Sequence, residues 1–248
     1  MNIDVHQLIK RYGPAFDMEI GEYHVLEGDA IGLVGNNGAG KSTFLRLVLD
    51  LAKANRGYVL INGRNVADSI TWKAFTGSYL DESFLIDYLT PDEYLAFVGQ
   101  VYGYERAQLH AALDPFRSFY TDEPLGQTTK YLRELSKGNM KKVGLIAAMF
   151  IRPKLLILDE PFANLDPRSQ IQLKQLLGDL NTDGSTLIVS SHDLLHVTDI
   201  CNRITIMKSG RIVKDIHATE MSYRELEQFF QDDLMVEEPK APATYQPA

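Results

Sequence analysis

Short apolar runs punctuated by glycine frame this chain. Residues 30–34, Ala-Ile-Gly-Leu-Val, read as a buried strand that stops at Gly35. The dense apolar stretch over 44–49 reads as a buried helix that starts near Lys41 and closes near Gly57. Upstream, hydrophobic runs are broken by Gly13, Gly21 and Gly28; downstream, 58–61 predicts a strand with an Asn62-Gly63 turn, and 77–80 another.

At Thr90-Pro91-Asp92-Glu93 the pattern changes. Threonine as N-cap, proline in the first turn and glutamate three residues on make a capping box, so a helix starts here. Mostly helical patterns continue to about residue 150, with breaks at Asp114-Pro115 and over 123–126, which predicts a helical insertion. Strands resume at 155–158, 186–190 and 203–207, with a helix over 168–180 between the first two. That alternation predicts a parallel sheet core. Ser209-Gly210 turns the chain into 211–213 as an edge hairpin, and a last helix is expected over 223–231. The tail over 236–248, rich in proline and alanine, reads as disordered.

Composition narrows the class. The chain has 248 residues, 45% hydrophobic and 23% charged, enough to bury a substantial core. A formal net charge of -8 argues against a surface built to neutralise nucleic-acid backbones, so no nucleic-acid partner is expected. The single cysteine, Cys201, forms no internal disulfide and gives no sign of an oxidising compartment, so a cytoplasmic setting is expected. The longest run without charged or strongly polar residues, 143–151, falls far short of the ~20 that span a bilayer. Residues 1–12 mix acids and bases and do not resemble a secretory signal.

The chemistry concentrates in two places. Residues 35–43 read Gly35-Asn36-Asn37-Gly38-Ala39-Gly40-Lys41-Ser42-Thr43 between a strand and a helix, a phosphate-binding loop. Its glycines let backbone N–H groups turn inward around phosphate oxygens, and the helix that follows adds its positive dipole end. Lys41 is expected to reach the β and γ phosphates and the Ser42 hydroxyl to bind Mg²⁺. Residues 155–160, Leu-Leu-Ile-Leu-Asp-Glu, form an apolar strand ending in two carboxylates: Asp159 for the Mg²⁺ shell and Glu160 to polarise a water attacking the γ phosphate. Standing alone, such a pair would sooner be read as capping the next turn.

With these two, further motifs in fixed order over about residues 1–220 make the chain resemble the ATP-binding subunits of ABC transporters. Glu82 falls at the family's Q-loop, and Leu135-Ser136-Lys137-Gly138-Asn139 at its signature. Ala163-Asn164-Leu165-Asp166 looks like the D-loop, Ser191-His192-Asp193 like the switch histidine, and Tyr12 sits where the family stacks an aromatic ring on adenine. The resemblance implies an α/β P-loop NTPase (RecA-like) core with a mainly parallel sheet, an N-terminal antiparallel β part and an inserted α-helical subdomain. It places a single ATPase domain at 1–235, its core at 1–82 and 151–235 and the helical subdomain at about 83–150. It implies ATP and Mg²⁺, catalysis by Glu160 with His192 at the γ phosphate, and a second ATPase subunit, identical or not, whose ATP meets Ser136 and Gly138. It also implies an integral membrane permease that holds the chain on the cytoplasmic face.

Each later motif also has a plain structural reading: Tyr12 as a packed surface aromatic, His192 as a polar residue at a strand end, Asp166 before Pro167 as a helix cap. Two motifs depart from the family at three positions. Lys137 and Asn139 stand where the signature has glycine and glutamine, and Glu82 replaces the Q-loop glutamine. A carboxylate can also ligate Mg²⁺, so Glu82 is a third candidate metal ligand, or else a solvated loop acid. Phe84, Leu85, Tyr88 and Leu89 are expected either to dock a cytoplasmic permease helix or to belong to the core of the helical subdomain. The Leu-Ser-Lys-Gly signature and the acid at the Q-loop resemble subunits that pair with exporters. The competing class is a soluble ABC ATPase acting on ribosomes, nucleic acid or iron-sulfur assembly. A P-loop GTPase is excluded by the missing Asn-Lys-x-Asp guanine motif.

Overall fold

The computed structural model describes residues 1–13 and 16–217, together with Arg224 and Gln228. Most of the helix expected over 223–231, and the whole 236–248 tail, lie outside the described residues.

An antiparallel sheet opens the chain. Strands β1 (Ile3–Arg11), β2 (Asp17–Val25), β4 (Arg56–Ile61) and β5 (Arg64–Asn65) lie in the order β2-β1-β4-β5. Gly21, expected to break a hydrophobic run, lies inside β2, where nothing approaches its missing side chain. Strands β3 (Ala30–Val34), β6 (Thr76–Tyr79), β7 (Leu155–Leu158), β8 (Thr186–Ser191), β9 (Arg203–Lys208) and β10 (Arg211–His217) form the second sheet. Its order is β10-β9-β3-β8-β7-β6, parallel throughout except for the β9–β10 hairpin at one edge.

Both faces of this sheet are covered, which is why its strands read as unbroken apolar runs. Ile31, Leu33, Leu155, Ile157 and Ile188 face the core shared with the antiparallel sheet and helix α1 (Lys41–Val48). Val34, Leu156, Leu158, Leu187 and Val189 face the core shared with the remaining helices. These are α2 (Pro91–Val101), α3 (Arg106–Leu113), α4 (Lys137–Met149), α5 (Pro167–Thr182) and α6 (Leu194–Thr198). The helical insertion therefore has no separate core: Leu95, Leu113, Phe116 and Phe119 belong to the cluster that holds Leu156 and Val189. Helix α4 lies directly on β6, where a side chain at Gly77 would run into the Ala148 carbonyl oxygen at 2.0 Å. Only glycine allows that approach.

Two expectations change. Helix α1 ends at Val48, not near Gly57, because Asp50 takes a left-handed conformation (φ 51) and the Leu51 and Ala52 N–H groups fold back onto the Arg46 carbonyl. Within the insertion, residues 117–136 are irregular apart from a short 3-10 turn, Leu132–Glu134. Side-chain carboxylates take the backbone donors there: Asp92 accepts from the Gly126 and Thr128 N–H groups at 2.8 Å, and Glu123 from Thr129 and Lys130. A backbone satisfied by side chains has no need of a helix. The start of α2 is as read, with Thr90 and Glu93 forming the reciprocal cap.

Candidate active site

Three adjacent strands bring the site together. The glycine loop follows β3, His192 follows β8 and the two acids follow β7, and the sheet order β3-β8-β7 sets all three at neighbouring carboxyl ends. Open parallel sheets bind ligands at that edge.

The loop makes a cleft of about 290 Å³ lined by Phe16, residues 36–43 and Glu160. Gly38 (φ 85) and Gly40 (φ 105) take conformations that L side chains avoid. Gly35 passes so close to β9 that an added Cβ would meet the Met207 carbonyl oxygen at 2.4 Å. Helix α1 has no side-chain N-cap. Its first-turn N–H groups, from Lys41 onward, have no intrahelical acceptor and present their dipole end to the cleft. This donor set fits a polyphosphate. Lys41 is 6% exposed; its Nζ donates to the Gly35 carbonyl at 2.6 Å and lies 3.2 Å from Glu160 Oε1.

Glu160 sits at the centre of the arrangement. Its backbone is left-handed (φ 46), its N–H donates to Ser190 Oγ at 2.9 Å and its carbonyl accepts from Lys141 Nζ at 3.0 Å. One carboxylate oxygen contacts His192 Nδ1 at 2.8 Å. The other is buried and accepts no protein hydrogen bond, its charge being balanced by the Lys41 ammonium. Asp159 is buried and accepts the Ser190 hydroxyl hydrogen. Ser190 thus bridges both acids.

A second lysine lies behind the acids. Lys141, on α4, is 5% exposed, with its ammonium 5.9 Å from the Tyr79 ring centroid. Burial pulls its pKa down, while the charges of Glu82, Glu160 and Asp159, in that order, pull it up. Glu82 begins a 3-10 turn, Glu82–Phe84, after β6, and is half-buried.

The signature residues stand elsewhere. Ser136 caps α4, accepting the Asn139 N–H at 3.2 Å, and Ser136 and Lys137 are exposed. A Cβ on Gly138 would lie 2.9 Å from the Asn164 carbonyl oxygen, so the Ala163–Asp166 turn packs against this helix end. None of residues 136–139 lines the glycine-loop cleft. Asp166 caps α5; hydrogen bonds from the Ser169 side chain and N–H, with the nearby Lys142 ammonium, hold its carboxyl at a pKa of about 2. Tyr12 is 47% exposed, beside Phe16 (ring centroids 6.4 Å apart) and under Lys10, but it does not line the cleft.

Phe16, Lys141 and Ser190 escaped the sequence reading. Ser190 was within reach of it, as a hydroxyl in the strand expected beside the two acids. Among the described residues no group of three or more His, Cys, Asp or Glu side chains could hold a metal ion alone. Ser42 and Asp159 suit a hard cation only in company with phosphate oxygens. A larger cavity of about 390 Å³ between α2 and α3 is lined by Asp92 and Arg117, which are committed to the backbone around it.

Residues 21–163 match the family model described as ABC transporter. An uncharacterized ABC transporter ATP-binding protein of Methanocaldococcus jannaschii is 32% identical over 85% of this chain and 76% of its own length. A methionine import ATP-binding protein of Carboxydothermus hydrogenoformans is 30% identical over 79% of this chain and 60% of its own. The chain spans about half to three-quarters of the length of the curated relatives it matches first. A solved ATP binding subunit of an ABC transporter superposes with a TM-score of 0.80, at 27% identity, covering 95% of this chain and 98% of that one.

Proposed function

Because this chain belongs to the ABC transporter ATP-binding family, an ATPase family, we propose that it dimerises around ATP and drives a separate membrane permease. The observation that carries the dimer is the distance in the fold between two halves of one chemistry. The glycine loop, Glu160 and His192 form one cluster, whereas Ser136–Asn139 stand at the N-terminus of a helix and do not line the loop cleft. A helix N-terminus with exposed Ser136 and Lys137 offers N–H donors, a hydroxyl and positive charge, a phosphate-binding set that serves a second subunit's nucleotide.

Within one subunit the residues divide the work. The loop N–H groups and Lys41 hold the phosphates, and Tyr12 and Phe16 flank the approach to the loop and supply aromatic surface for the base. Lys41 is paired with Glu160. A γ phosphate competes for that ammonium and frees Glu160 Oε1 to orient water, while His192 holds Oε2. Ser42 and Asp159, with Glu82 as a further candidate, would hold Mg²⁺, which neutralises phosphate charge when bound. Asp166 packs its turn against the signature end of α4 through Lys142 and links the two halves.

The permease partner is supported by an open groove of about 240 Å³ between β6 and the insertion, lined by Leu51, Tyr79, Phe84, Leu85 and Tyr94. Phe84 (53%) and Tyr88 (63%) are exposed and available for docking, whereas Leu85 packs onto the helical core and Leu89 is partly buried. Among the described residues no helix is long and apolar enough to cross a membrane. We place the chain on the cytoplasmic face through its permease, as a homo- or heterodimer. Export is the direction its signature favours, although two relatives are named for import. Purification from membranes tests the assignment: co-purification with an integral membrane protein supports it. Co-purification with ribosomes or nucleic acid would favour the soluble class instead.

A further inference from the structure

Lys141 is a buried cation whose hydrogen bond reaches a backbone atom of the acid that the proposed reaction depends on. Four observations bear on what it does. Its Nζ donates to the Glu160 carbonyl at 3.0 Å. The carboxylates whose charge reaches it come from two segments: Glu82 after β6, and Asp159 and Glu160 after β7. The peptide it holds is left-handed, a conformation non-glycine residues adopt at a cost, so something must fix it. Finally, Lys141 sits on α4, five residues beyond Ser136, so one rigid helix carries both the exposed signature end and this contact.

We propose that Lys141 is a positioning residue that neutralises Glu82 and ties the signature helix to the Glu160 backbone of its own subunit, so that engagement of α4 by a partner's nucleotide is transmitted to the chain's own catalytic acid. This rests on the ATPase reading above. The Lys141 charge accounts for an acid at position 82: it acts on Glu82, Asp159 and Glu160 together and offsets the repulsion that a third carboxylate adds. Ser190 holds the Glu160 N–H and Lys141 its carbonyl, so the peptide is fixed from both sides. Tilting α4 shifts only the Lys141 side.

The test is a charge cycle in the full-length protein: wild type, Lys141→Gln, Glu82→Gln and the double variant, with Lys141→Arg as the charge-preserving control. ATP affinity (fluorescent nucleotide), kcat and thermal midpoint are measured for each. Lys141→Gln is expected to leave ATP affinity within about twofold and lower kcat roughly tenfold or more, with Lys141→Arg recovering part of the loss. Adding Glu82→Gln to Lys141→Gln is expected to raise both kcat and midpoint, because the unpaired carboxylate is gone. Should Lys141→Gln not fold, Lys141→Met replaces it in the cycle. Wild-type kcat in the folded Lys141 variants, or independent effects of the two substitutions, would overturn the proposal. If wild type hydrolysed no ATP, the ATPase reading would fail, and the thermal midpoints would still report whether the two charges are coupled.

Discussion

The Nδ1 atom of His192 lies 2.8 Å from Oε2 of Glu160 although the two residues are 32 positions apart, because β7 and β8 pair in parallel and deliver both to one edge. Glu160 is therefore held on one side by an imidazole and on the other by the Lys41 ammonium. Arrival of a phosphate is expected to exchange the second partner and leave the first. That exchange makes the site's response to nucleotide specific to these three residues.

Lys41→Ala removes a charge-assisted contact to phosphate worth about 1.5–3 kcal/mol, roughly 10- to 100-fold in affinity. ATP titration by calorimetry should show that loss. Retention of wild-type affinity would mean that the ammonium serves only Glu160.

Tyr12→Ala is expected to weaken ATP binding by about 1–3 kcal/mol, the range found for stacking of a base on an aromatic ring, and Tyr12→Phe to restore it. GTP should lose as much as ATP, since stacking is tolerant of the base. Unchanged affinity for both would return Tyr12 to its plain reading as a surface aromatic.

Glu82→Gln removes one of the carboxylates proposed to lie near Mg²⁺. The ATPase rate plotted against Mg²⁺ concentration is expected to shift, and an unchanged curve would make Glu82 a bystander acid.

His196 gives a pH signature. Its ring stacks on Phe162 (centroids 4.7 Å apart), and burial lowers its pKa below the usual 6.5. The unfolded chain then binds a proton that the folded one resists, so stability falls as pH drops below about 6.5 towards the folded value and is unaffected above it. Thermal midpoints of wild type and His196→Gln should converge in slope above pH 7 and diverge below. Parallel curves throughout would contradict the assignment.

The sequence made legible whatever is local or carried by consecutive residues. The loop at 35–43, the apolar strand before Asp159 and the Thr90 cap all appear in the structure at the positions expected. What it hid depends on contacts between distant segments. Lys141 looks like one more helical lysine until α4 is laid across β6 through Gly77 and Gly144, and Phe16 meets the loop only because β2 packs against it at Gly40. The irregular stretch over 117–136, apart from the break at 123–126, read as helical because Asp92 and Glu123 gave no hint in sequence that they take its backbone donors. The partner-facing role proposed for Ser136 comes from the family's motif order.

Glu160→Gln tests the central claim most directly. Losing a general base costs about 10²- to 10⁴-fold in rate, while the phosphate cradle and Lys41 remain. Purified protein is mixed with ATP and followed by phosphate release and by light scattering. The account predicts ATP binding like wild type, a stable ATP-dependent dimer and phosphate release lowered by at least two orders of magnitude. Turnover at the wild-type rate, or binding of ATP without any dimer, would contradict it.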